Sequence, residues 1–167
     1  MHRALQRTTR GLGVLACAAA FGAVVPASAH HSYAMYDGSI YKVFTGVIVR
    51  IVPNAAHFEM HFVPLNDTRD ALVRDDKGEQ VVWVVQMESA AEANRHGITR
   101  DSFPQGTVFS MGVHPRRDGK PAGDRGDSGL FRCPKGKVPE TGKHCDSVEG
   151  AMAFGEGVLP PEGPLKR

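Results

Sequence analysis

No acidic residue precedes Asp37 in this 167-residue chain, and both cysteine and tryptophan are scarce, with three and one. Three cysteines are too few for a structural zinc site built from four thiolates. The longest apolar run, from Gly11 to Val25, is about fifteen residues, short of the roughly twenty that span a bilayer. A transmembrane anchor is therefore not predicted. No long run of lysine or arginine is present, which argues against nucleic acid as a partner. Also missing are Gly-x-Ser-x-Gly, a phosphate-binding loop and a dinucleotide fingerprint, so no familiar catalytic constellation stands out.

The acid-free start has three parts. Arg3, Arg7 and Arg10 form a basic leader, Gly11 to Val25 an apolar segment, and Ala27-Ser28-Ala29 a small-residue cleavage site. This order predicts a signal peptide over residues 1–29, cut after Ala29, and a periplasmic or secreted product. Val14-Leu15-Ala16-Cys17 matches a lipoprotein signal poorly, because Leu15 is out of place and the apolar run continues past Cys17. Removing three of the 20 basic residues leaves 17 against 18 acids, so the formal charge of +2 becomes about −1. The remaining residues suit one domain. They divide into an arm over 30–41, a barrel over 42–133, and a Gly/Pro-rich tail over 134–167. Cys133 and Cys145 are the cysteines left, and in an exported chain they predict a disulfide closing a Pro/Gly-rich loop. The alternative, a metal pair with the adjacent His144, has too few ligands.

Alternating residues predict a first strand over Lys42 to Val52, with Gly46 marking a bulge or bend. His57 to Pro64 makes a second strand. Val81 to Met87 makes a third, apolar enough to be buried on both faces around Trp83. Ser89 with Glu92 three residues on forms a capping box, and Ala90, Ala91 and Ala93 favour a short helix stopped at Gly97. Thr107 to His114 is a fourth strand, Pro115 to Gly129 a loop, and Gly129 to Cys133 a fifth strand. The end from Leu159 is expected to fray. Three strands, a short helix and two strands predict a mainly β fold, a small OB-like five-stranded barrel with its helix between strands 3 and 4.

The stretch His30-His31-Ser32-Tyr33-Ala34-Met35-Tyr36-Asp37 resembles His-His-Ser-Phe-Ala-Met-Phe-Asp, the opening of a family of exported bacterial proteins with a domain of unknown function. The likeness continues through Thr45-Gly46-Val47, Trp83, Met87 and Glu88, then Gly97, Arg100, Pro104 and Gly106. It ends with His114-Pro115-Arg116-Arg117-Asp118-Gly119, and so covers about residues 30 to 120. Where such proteins carry Asn-Pro-His, this chain has Asn54-Ala55-Ala56-His57, one residue longer and without the proline. The resemblance implies export and a small β domain, and it assigns no activity.

Cleavage after Ala29 would expose His30 as the amino terminus. Its free amine and ring Nδ1 can chelate one metal ion, and a third nitrogen from His31, His57 or His114 would complete a site suited to Cu(II). In His57-Phe58-Glu59-Met60-His61 the two histidines would share an ion on a helix. On a strand they stand about 13 Å apart, and the pattern becomes a solvated His57/Glu59/His61 face opposite a core face. His96 is expected at the helix end and His144 in solvent. Glu59 and Glu88, the best-placed carboxylates, are each explained by a strand. Arg125-Gly126-Asp127 and Asn66-Asp67-Thr68 match short motifs by chance. Two classes of function remain: a copper-binding periplasmic protein, or an accessory module that uses an OB-like scaffold to bind an unknown periplasmic protein.

Overall fold

β1, Ile40–Pro53, is long enough to meet two neighbours, and this closes the molecule into a barrel. Its first half pairs antiparallel with β4, Val108–Pro115, and its second half with β2, Phe58–Pro64. The two ladders overlap at Gly46 and Val47. A side chain at Gly46 would bring a Cβ within 2.7 Å of the Phe62 ring, so glycine is needed there for close approach. The bulge itself lies between Ile48 and Arg50 rather than at Gly46. One extra residue there turns both Ile48 and Ile51, three apart, into the core. A computed structural model describes residues 33–53 and 57–165.

β2 pairs with β3, Trp83–Gln86, and β3 pairs in parallel with β5, Ala122–Asp124. β5 then pairs antiparallel with the end of β4, completing a closed ring of five strands. The fold is therefore the mainly β, OB-like barrel that the strand order predicts. A six-residue helix, α1 (Ala90–Arg95), lies between β3 and β4. The Ser89 hydroxyl accepts from the Glu92 N–H at 3.3 Å, and Gly97 takes a positive φ of 73° at the stop. Phe58, Met60, Phe62, Val85, Met87, Phe109, Met111 and Val113 fill the interior, with Ala93 and Ile98 closing one end.

The closing strand differs from the expected one. Ala122–Asp124 sits inside the segment read as a loop, while Leu130–Arg132, β6, pairs with Phe109–Met111 of β4 and not with β3. β5 and β6 lie end to end along one edge of β4, separated by residues 125–129. A three-residue Ala-Gly-Asp strand has no alternation to reveal it, and its register comes from β3 and β4. β3 is also less buried than predicted: Val85 is fully inside, but Trp83 is half-buried and Val82 exposed.

The tail returns to the barrel. β7, Met152–Phe154, pairs antiparallel with β6, and β8, Gly163–Pro164, pairs with Ile40 and Tyr41, so the end expected to fray is hydrogen-bonded. Cys133 and Cys145 form a disulfide with Cα atoms 5.0 Å apart. It holds His144 against β1 and β4, where its Nδ1 lies 2.9 Å from the Thr45 hydroxyl. That hydroxyl is 2.8 Å from Ser110 Oγ, which accepts from the Cys145 N–H at 2.9 Å. His144 is thus bonded and half-buried rather than solvated, and burial, helped by nearby Arg69, lowers its pKa. Among the described residues no helix is long and apolar enough to cross a membrane.

Candidate functional site

Polar side chains gather at one end of the barrel wall because strand register aligns them. Glu59 on β2 pairs with Gln86 on β3, Gln86 with Asp124 on β5, and Asp124 with His114 on β4. Directly paired residues project to the same side of a sheet. Since Met60, Val85 and Val113 point into the core, these four stand outside. Tyr41 on β1 continues the row, its ring stacked on His114 at 3.8 Å between centroids. The result is a belt that crosses all five strands.

The residues before β1 cover this belt. Residues 33–37 run beside the β4 end: the Asp37 N–H donates to the Pro115 carbonyl at 2.8 Å, and Tyr36 bridges to Arg116. The Tyr36 hydroxyl donates to Gln86 Oε1 at 3.0 Å. Tyr36, Tyr41 and Asp124 are buried, at 7%, 8% and 9% exposure. Burial raises the pKa of both tyrosines. It also raises that of Asp124, opposed by the Gly126 N–H that donates to Oδ2 at 3.0 Å and then by His114, Arg125 and His57 nearby.

His114 has a defined tautomer. Its Nδ1 lies 2.7 Å from the Ile40 carbonyl, which can only accept, so Nδ1 carries the proton. A neutral ring therefore keeps its lone pair on Nε2, the arrangement that orients a ligating histidine. Gly126 leaves room at that edge, because a Cβ there would come within 3.0 Å of His114 Nε2.

His57 lies just before β2 and close enough to influence Asp124. His61, two residues beyond Glu59, is 7% exposed rather than solvated. Its Nε2 faces Glu59 Oε2 at 3.2 Å, and its Nδ1 accepts from Arg50 at 3.3 Å, so both ring nitrogens are engaged. His30 and His31 lie outside the described residues. Among the described residues, no three His, Cys, Asp or Glu side chains converge closely enough to hold a metal ion.

A second ionic group sits near the helix. Glu88 receives Arg125 Nη2 at 3.1 and 3.0 Å and stands 3.1 Å from His96 Nδ1. Arg125 is 6% exposed, so Arg125-Gly126-Asp127 is not a displayed tripeptide. Sequence reasoning missed this pairing and the role of Asp124, since both depend on where β5 lies.

Taken together, these features define a small OB-like β-barrel protein with a partly buried polar belt beside a docked arm, residues 33–37. The chain belongs to a family of unknown function (DUF6152), whose model matches residues 18–125. The match ends immediately after β5, so it contains the whole barrel and every belt residue and omits β6–β8. No curated protein and no solved structure matches the chain.

Proposed function

We propose that this is an exported protein that binds one Cu(II), using the amine and ring of His30 after cleavage, with His114 Nε2 as the third nitrogen. The observation that carries this reading is the Nδ1–H bond from His114 to the Ile40 carbonyl, which directs the free lone pair to Nε2. Three further features support it. Gly126 clears the edge of that ring, and Asp124 supplies negative charge beside it. The arm is tied to the strand that carries His114, through Asp37 and Pro115. Tyr33–Met35 forms a short 3-10 turn, and from Tyr33 the three residues back to His30 can reach at most about 10 Å when extended. His31 and His57 are the alternatives to His114 as the third nitrogen. An all-nitrogen donor set with no free thiolate favours copper over zinc.

The test begins with intact mass, which should show exported protein starting at His30. That protein should bind one Cu(II), seen by titration and by the nitrogen hyperfine pattern in electron paramagnetic resonance. Binding should fade below about pH 6, because imidazole binds only when neutral and protonates near 6.5. One extra Met before His30 moves the free amine and should weaken binding strongly while the fold stays intact. His114→Asn should weaken it as well. Equal affinity in all three proteins would leave the accessory-module reading in its place.

A further inference from the structure

On the other side of the arm, the turn between β4 and β5 forms a basic cleft of about 260 Å³, with Lys42, Arg116, Arg117 and Lys120 around it and Trp83 in its wall. Asp37 is the carboxylate in that lining, and Asp118 stands at the turn. Asp118 is committed to Arg116: Nε and Nη2 donate to its two oxygens at 2.9 and 2.7 Å, which holds its pKa down to about 2. Arg116 is therefore a fixed cation with its partner already in place.

The other three cations are not matched in this way. Arg117 stands 3.7 Å from Asp37, and Lys120 stands 3.8 Å from Asp118, both beyond the 2.7–2.9 Å of a charge-assisted hydrogen bond. Their side chains are 60% and 73% exposed. The Lys42 ammonium lies 5.8 Å from the Trp83 ring centroid and has no carboxylate partner among the described residues. Three cations with spare donors thus meet at one concavity. Like charges repel unless an anion neutralises them. Ile40 and Pro115 complete an apolar wall beside Trp83. The cleft is below the roughly 300–1,000 Å³ of sites for drug-sized ligands, so its occupant is small.

We propose that this cleft binds a small phosphomonoester of about sugar-phosphate size, the phosphate held by Arg117, Lys120 and Lys42 and the organic body lying against Trp83. A phosphate offers several acceptor oxygens and close to two negative charges, which suits three donors from different directions. A neutral sugar would leave the cations unsatisfied. This proposal is independent of the copper reading.

Trp83 is the sole tryptophan and lines the cleft, so its fluorescence reports occupancy directly. Glucose 6-phosphate, titrated at fixed ionic strength, should change the emission saturably, and glucose should not. The double variant R117Q/K120Q removes two exposed side chains. It should keep the melting temperature and bind about tenfold more weakly or worse, as loss of charge-assisted contacts predicts. R74Q, on a separate turn, removes the same type of charge and should bind as the parent protein does. Sedimentation with phosphatidylglycerol vesicles distinguishes a membrane surface from a free ligand. The proposal is overturned by a non-saturable response, by an equal response to glucose, or by an unchanged affinity in the double variant. It is also overturned if the chain binds vesicles but gives no saturable response to glucose 6-phosphate.

Discussion

Gly123→Ala tests which segment closes the barrel, and the sign of its effect is the answer. Gly123 is in β5, between the β3 and β4 ladders. A Cβ there would lie 2.1 Å from Val113 Cγ1 and 2.7 Å from the His114 carbonyl oxygen. Val113 is fully buried, so its methyl cannot swing into solvent. The carbonyl cannot withdraw without pulling β4 away from β5. Overpacking of a core costs about 1–3 kcal/mol, and a backbone obstacle puts this site near the top, about 3 kcal/mol. For a domain of this size that corresponds to a melting temperature lowered by roughly 10–15 °C. If residues 122–124 were instead part of a loop, Gly123 could accept a Cβ freely. The substitution would then stabilise the fold by about 0.4–1 kcal/mol through the unfolded chain. Val113→Ala removes the nearer obstacle. In a double-mutant cycle measured by urea unfolding, the pair should cost less than the sum of the single changes by about 1 kcal/mol or more. A Gly123→Ala protein as stable as the parent would refute closure by β5, and with it the belt that joins Asp124 to His114.

The disulfide and His144 give two further tests. Replacing Cys133 and Cys145 by serine should cost about 3 kcal/mol, because the bond closes a loop with a sequence separation of 12; a loss below about 1 kcal/mol in chemical denaturation would contradict this. Burial lowers the folded pKa of His144 below the usual 6.5, so between those values the unfolded chain binds more protons. The stability His144 contributes is therefore present above pH 6.5 and lost as the pH falls through its folded value. Urea unfolding at pH 7.5 and 5.5 should show this loss, and His144→Asn, which keeps an acceptor near Thr45, should reduce it; an equal pH dependence in both proteins would assign it elsewhere.

Local features were legible from the chain alone wherever the physics is local. The alternation in Lys42–Val52 and Phe58–Pro64 marks strands because side chains alternate faces every residue. Ser89, Glu92 and Gly97 mark a short helix because its end groups need partners within a few residues. The disulfide followed from counting two cysteines. The order of these elements was enough for the OB-like barrel. The local rule gave way where a distant neighbour decided the outcome. The bulge after Ile48 arises from register against β2 and not from Gly46, whose lack of a side chain instead makes room for Phe62. His61 is buried because Arg50 and Glu59 close around it. β5 is three residues long, too short for any period, and exists because β3 and β4 offer unpaired edges on both sides of it. Glu59, Gln86, Asp124 and His114 are separated by long stretches of sequence and meet only when that ring closes. Residue type therefore made His114 a candidate donor, but its tautomer, set by the Ile40 carbonyl, and the charged neighbour at Asp124 were decided by tertiary structure, since hydrogen bonds and Coulomb forces act through space and not along the chain.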